Sequence, residues 1–277
     1  MKHGTTSARI FTLMGIILLI LAVPAHADKI LMMATTTSTD NTGLLDDLAP
    51  AFQKATGIKL QWTATGTGKA LKLGENCDVD ILMAHAPASE IKFVNAGFGT
   101  DRREIMYNDF VIIGPAADPA GVKGKAITDA LSAIKTGQAV FVSRGDNSGT
   151  HKKELSLWQA AGLPVPDKEK WYVQTGQGML ASINVAAERN GYTMTDRGTY
   201  IKYEHNLKGT PPLNILVEGD KGLLNQYSVI AIAPNHCDNA RYDLATQFIQ
   251  WITGSDAQKM IKDFKLLDKQ LFTPNAK

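Results

Sequence analysis

Three loops in this sequence gather hydroxyl, glycine and basic residues at places where helices are expected to begin. The first is Thr35-Thr36-Thr37-Ser38-Thr39. Hydroxyl side chains cap helix N-termini, so one of the five is accounted for by a cap with spare threonines around it. Five in a row exceed that need. With the free backbone N–H groups of a helix start they would make a donor-rich anion site. The second loop, Ala64-Thr65-Gly66-Thr67-Gly68-Lys69, lacks the spacing and terminal Ser/Thr of a P-loop, which argues against nucleotide hydrolysis. It reads either as a plain glycine-rich turn or as a second ring of donors, with Thr67 its best-placed hydroxyl and its glycines letting backbone approach a ligand.

The third loop is Ser143-Arg144-Gly145-Asp146-Asn147-Ser148-Gly149-Thr150-His151. Arg144 offers a permanent cationic fork, Ser148 and Thr150 offer hydroxyls, and a helix starting near Gly149 offers oriented N–H groups. Together they form the donor set a tetrahedral oxyanion requires. Two plainer readings compete. Arg144-Gly145-Asp146 matches a cell-adhesion tripeptide, a match too short to carry weight, and Arg144 can simply pair with Asp146 in a turn. Catalysis has little support, because Ser148 and His151 lack any G-x-S-x-G elbow. The histidines beyond the leader, His85, His151, His205 and His236, show no metal-ligand spacing, so neither metal nor cofactor is expected.

The elements that must position these loops alternate. Strands are expected at Lys29–Ala34, Lys59–Ala64, Val79–Ala84, Phe110–Ile113, Ala139–Val142 and Tyr227–Ala233. Helices are expected from Leu44 to Gly57 with a kink or late start at Pro50, and over Pro87–Asn95, Ile127–Ile134, Thr150–Ala161, Met179–Glu188, Tyr242–Ile252 and Ala257–Phe264. This alternation implies an α/β fold with mainly parallel sheets. Two apolar strands, near Tyr107–Gly114 and Gln226–Pro234, divide the chain. Residues 28–108 plus 226–277 would build one lobe and 109–225 a second, with a ligand cleft between them.

The chain's first residues read as a leader. Lys2 and Arg9 flank the start of an apolar run from Ile10 to Val23, followed by Ala25-His26-Ala27, so residues 1–27 have the pattern of a secretory signal peptide. As a helix that run would rise only about 21 Å, short of a bilayer core of about 30 Å. No later stretch is long and apolar enough to span, so the mature protein is expected to be soluble and outside the cytoplasm. The whole chain has 277 residues, 29 Lys plus Arg and 27 Asp plus Glu. Two of the cations lie in the leader with no acid, leaving 27 against 27. That balance disfavours a nucleic-acid binder. Cys77 and Cys237 form a long-range disulfide in an oxidising compartment or remain two free thiols; their separation does not decide.

The Arg144–Thr150 run resembles the R-x-x-x-S-G-T loop of periplasmic phosphate-binding proteins. Thr35–Ser38, Ser143–His151, Thr175-Gly176-Gln177-Gly178-Met179 and Tyr192–Arg197 together resemble more closely the tungstate-binding proteins of ABC importers. The similarity runs from about Ile30 to Asn275. It implies a two-lobed, type II-like periplasmic binding-protein fold, a non-enzymatic role, and an oxyanion held by Thr36, Thr37 and Ser38 from one lobe and Arg144, Ser148, Gly149 and Thr150 from the other. Thr67 is added from its loop position. The implied ligand is tungstate, or molybdate of the same charge and shape; the implied partner is a membrane permease, and the protein is expected to be a monomer in the periplasm. Phosphate- or sulfate-binding proteins and a secreted oxyanion-ester enzyme are the alternatives. Protonated phosphate benefits from a carboxylate acceptor, and phosphate-binding relatives carry an Asp after the strand matching Val79–Ala84. Here the sequence reads Ala84-His85-Ala86-Pro87, and His85 is read as a structural histidine.

Overall fold

The computed structural model describes Lys29–Lys277, together with the isolated Met1. The leader read at residues 1–27 therefore lies, Met1 aside, outside the described residues. Among the described residues no helix is long and apolar enough to cross a membrane.

The chain opens with β1 (Lys29–Thr36), α1 (Thr37–Asp40) and α2 (Leu44–Thr56). Leu44, Leu45, Leu48 and Phe52 recur at helical spacing and are buried. The helix starts at Leu44 and runs through Pro50. That residue lies on the exposed face, where water can serve the carbonyl that the missing N–H leaves unpaired. Gly57 closes it at φ +74°, a left-handed conformation that costs glycine little. Next come β2 (Ile58–Thr65), α3 (Thr67–Glu75), β3 (Ile81–Ala84), α4 (Pro87–Asn95) and the 17-residue β4 (Gly99–Pro115).

The following stretch holds α5 (Ile127–Gly137), β5 (Phe141–Ser143), α6 (Gly149–Ala160), β6 (Tyr172–Gln174), α7 (Met179–Glu188), β7 (Tyr192–Asp196), α8 (Arg197–Asn206) and β8 (Leu213–Val217). The chain returns through β9 (Leu224–Ile232) to α9 (Tyr242–Thr253) and α10 (Ser255–Asp263). It ends in a hairpin of β10 (Lys265–Leu266) and β11 (Lys269–Gln270), then β12 (Thr273–Pro274) on β4.

Strand order is β2-β1-β3-β9-β4-β7-β5-β6, with β8 and β12 also on β4. The outer strands run parallel, as the alternation with helices predicts: β1 with β2 and β3, and β5 with β6 and β7. The central strands β4 and β9 run antiparallel to their neighbours, so the sheet as a whole is mixed. β4 serves both ends: Gly99–Asp109 pairs with β9, and Phe110–Ile113 pairs with β7. Two aromatic cores lie on either side of this change of partner. Phe52 and Phe248, edge to face with centroids 5.0 Å apart, belong to one. Phe141 stacked on Tyr172, with Trp158 against Phe141, belongs to the other. Ile201 of α8 is an exception, since it is buried in the first core although its chain segment builds the second.

Cys77 and Cys237 are joined as a disulfide with Cα atoms 5.6 Å apart, which decides between the two readings left open. The bond ties the end of α3 to the segment after β9.

Candidate functional site

The Thr35–Thr39 run straddles the end of β1 and the start of α1. Thr36 is the N-cap, its Oγ1 accepting from the Thr39 backbone N–H at 3.2 Å. The same oxygen lies 3.0 Å from Ser38 Oγ and 2.7 Å from Thr39 Oγ1. Capping therefore accounts for Thr36, as the plain reading holds, but it leaves a cluster of further hydroxyls. Thr37 is exposed at the first helical position, and Thr35 is fully buried with an unpartnered hydroxyl.

The second loop arrives beside the first because β2 pairs in parallel with β1, setting Thr36 level with Thr65. Thr67 opens α3 after Gly66, which makes no side-chain cap. Thr67 is buried, and its Oγ1 would stand 3.4 Å from a Cβ placed on Gly149. His85 Cε1 would stand 3.6 Å from the same point. The first residue of α6 is thus seated against both a donor loop and an imidazole carried by the other chain segments, and a side chain at Gly149 would project toward that junction.

His85 joins the first loop to the crossing strands. Its Nε2 is 2.9 Å from Ser38 Oγ and 3.0 Å from Thr36 Oγ1. Its Nδ1 is 3.0 Å from Asn225 Oδ1, and Asn225 Nδ2 donates to Asn108 Oδ1 at 2.7 Å. The ring lies against Tyr227 at 4.8 Å. Burial, opposed by the Asn225 hydrogen bond, holds the imidazole pKa below its ordinary value. Burial also pushes the Tyr227 phenol up. His85 is fully partnered, as a structural histidine would be, yet two of its partners are predicted oxyanion ligands. Asn108 and Asn225 sit inside β4 and β9, where no loop signal marks them.

In the third loop, Gly145 at φ +61° and Asn147 at φ +59° turn the chain between β5 and α6. Arg144 donates from Nε at 3.1 Å and Nη2 at 2.5 Å to Asp146 Oδ2, so the turn pairing is present. Among the described residues no protein acceptor meets Arg144 Nη1. Asp146 Oδ1 accepts from the Ser148 N–H at 3.1 Å. Burial pushes the Asp146 carboxyl up, but Ser148 and the Arg144 charge outweigh it and hold the pKa low. Ser148 caps α6, accepting from the His151 N–H at 3.3 Å, and Thr150 is buried just behind Gly149.

Beneath this loop the structure is rigidly braced. Ser143 Oγ donates to Glu154 at 2.6 Å, and Glu154 also accepts from Tyr172 OH at 2.6 Å and Trp158 Nε1 at 3.1 Å. Burial raises the pKa of Glu154. The Thr175–Met179 stretch holds the loop from outside, with the Gly176 N–H donating to the Arg144 carbonyl at 2.8 Å.

The structure therefore brings Thr36, Ser38, Thr67 and Gly149 around His85, with Ser148 and Thr150 flanking Gly149. It leaves Thr37 at the surface and turns Arg144 onto Asp146. A cavity of about 340 Å³ opens beside His85 and Gly149, with Phe110, Lys152, Lys153 and Asn225 also on its walls. Among the described residues the one cluster of possible metal ligands is Cys77, His236 and Cys237, and its two sulfurs are bonded to each other.

Comparison with known proteins shows the family. Residues 22–256 match the PBP superfamily domain. A tungstate-binding protein, TupA, of Campylobacter jejuni is 53% identical over 240 residues, covering 87% of this chain and 89% of that protein. The chain belongs to the tungstate-binding protein family of the PBP superfamily. Two solved members share the architecture. TupA from Desulfovibrio alaskensis G20 is 69% identical, with a TM-score of 0.86 over 90% of this chain and 100% of its own. A structure named as the tungstate ABC transporter from Geobacter sulfurreducens is 47% identical, with a TM-score of 0.76 over 86% of this chain and 100% of its own. None of these relatives is named as an enzyme.

Proposed function

We propose that the protein is the substrate-binding subunit of an ABC importer and captures tungstate, with molybdate as the second ion of the same charge and shape. The observation that carries this reading is the meeting of the α1, α3 and α6 starts at His85 and Gly149. Each start supplies hydroxyls or unpaired N–H groups, and the one carboxylate in the loops, Asp146, is neutralised by Arg144. Such a site suits an unprotonated dianion, which needs donors only; His85 stands where a phosphate site would want an acid. The names of the relatives favour tungstate over phosphate and sulfate.

In this reading Thr36, Thr37, Ser38 and Thr67 donate from a lobe of residues 28–108 plus 226–277. Arg144, Ser148, Gly149 and Thr150 donate from a lobe of residues 109–225. β4 and β9 are the connecting strands about which the lobes close, and their combined donors replace the ion's water shell without metal or cofactor. Residues 1–27 direct export, the mature protein works as a periplasmic monomer, and its protein partner is the membrane permease.

Calorimetry of the mature protein with sodium tungstate, molybdate, sulfate and phosphate tests the reading. Tight binding of one tungstate or molybdate per chain, with sulfate and phosphate far weaker, is expected. Preference for phosphate would overturn it, as would turnover of an oxyanion ester.

A further inference from the structure

The cluster around His85 contains a hydrogen-counting constraint. Asn225 directs both hydrogens of its amide nitrogen elsewhere, to Asn108 Oδ1 at 2.7 Å and Tyr227 OH at 3.3 Å. Its carbonyl oxygen therefore faces His85 Nδ1, which must donate. A neutral imidazole with Nδ1 protonated has only a lone pair at Nε2. Four contacts link Nε2 and the hydroxyls: Nε2 to Ser38, Nε2 to Thr36, Thr36 to Ser38, and Thr36 to Thr39. Three hydroxyl hydrogens are available to fill them. With neutral His85 one of these hydrogens, from Thr36 or Ser38, points at the Nε2 lone pair. With Nε2 protonated, the ring N–H donates to those hydroxyl oxygens instead, and the hydrogen formerly spent on Nε2 is free to turn outward.

We propose that His85 is a positioning residue for oxyanion capture: as the dianion binds, one proton from the buffer adds to Nε2, and the hydroxyl hydrogen thereby released from Thr36 or Ser38 is donated to the ion. The inference rests on the oxyanion reading and names its coupling to a proton. No bond other than N–H forms, and the net result adds one positive charge beside a doubly negative ligand.

The charges around the ring are compatible with both states. Asp196, at the end of β7, and Glu90, on α4, draw a proton toward His85, while burial opposes it. Glu90 is itself held by Arg102 at 2.9 Å. From α6, Lys152 and Lys153 line the same cavity as His85. Tyr227, from β9, lies against the ring as a neutral phenol. Burial thus favours the neutral imidazole in the empty site, and an arriving dianion favours the proton.

The sign follows from linkage. If the bound-state pKa of His85 exceeds the free-state value, affinity is highest below the free value. It falls by about tenfold per pH unit between the two and levels off above the bound value. The test is calorimetry of the wild-type protein with micromolar sodium tungstate from pH 6 to 8.5, in buffers of differing ionisation enthalpy. Uptake approaching one proton per tungstate is expected over part of that range, falling to near zero in His85→Gln, whose affinity should vary little with pH. Tungstate binding with no proton uptake at any pH, or uptake undiminished in His85→Gln, overturns the role of His85 and leaves the oxyanion reading intact. An absence of tungstate binding throughout overturns both. Should His85→Gln fail to fold, the His85 ring followed by NMR in the wild-type protein decides: its pKa is expected to rise on adding tungstate, and an unmoved ring overturns the role.

Discussion

The two halves of the candidate site are built on different principles. On the β1 side, hydroxyls contact one another and an imidazole, so each donor's direction depends on its neighbours. On the α6 side, a turn between β5 and α6 carries a full charge, but Arg144 is already engaged by Asp146, and the whole loop is pinned to the buried Glu154 through Ser143. The first half is adjustable by moving hydrogens; the second is prearranged by an ion pair and a buried hydrogen bond. In the proposed site, a rigid rim carrying Arg144 would set the ion's position while the hydroxyls adapt to its oxygens.

This contrast can be broken from either side. The largest effect is expected for Arg144→Ala, which should weaken tungstate binding by at least about 1.5 kcal/mol, the lower range for a charged hydrogen bond. Calorimetry showing unchanged affinity would mean that Arg144 serves only its turn with Asp146. Ser148→Ala removes an N-cap as well as a donor. It should cost about 1 kcal/mol of stability in denaturant unfolding in addition to lost affinity. Thr67→Val is the counterpart across the junction. Because Gly66 rather than Thr67 is the cap, affinity should fall by on the order of 0.5 kcal/mol with the unfolding midpoint unmoved. A shifted midpoint would show that Thr67 is structural.

The smallest effect is a pH dependence in the α6 half. Asp146 is held below its ordinary value of 3.8, so its pairing stabilises the fold fully above that value and is lost as pH falls through the lower folded value. Asp146→Asn should flatten that acid limb by less than about 1 kcal/mol, since the pair is partly exposed. An unchanged acid limb in this variant would remove Asp146 from the account.

Legibility in the sequence follows the same division. The three loops are readable because hydroxyls and glycines stand where apolar strands end, and the start of α4 is legible from Pro87 in its first turn. β4 is recognisable only in its second half, near Tyr107–Gly114, because Asp101, Arg102, Arg103 and Glu104 interrupt its apolar pattern in the half that runs beside β9. β7 had no apolar signature, since it buries Thr193, Thr195 and Asp196. Hydrogen bonds such as Thr193 Oγ1 to the Val142 carbonyl satisfy those groups where hydrophobicity would otherwise be expected. α8 is polar around most of its surface and went unread for the same reason. The His85–Asn225–Asn108 chain was invisible because it joins residues more than a hundred positions apart that only sheet pairing brings together.

The central claim is that one oxyanion sits between the hydroxyl cluster and the start of α6. A crystal structure of the mature protein with tungstate, phased on the anomalous signal of tungsten, tests it most directly. One strong tungsten peak is expected within hydrogen-bonding reach of donors from both halves, among them Ser38 and the Gly149 N–H. A peak touching donors of a single half, or one out of reach of both Ser38 and the Gly149 N–H, would contradict it.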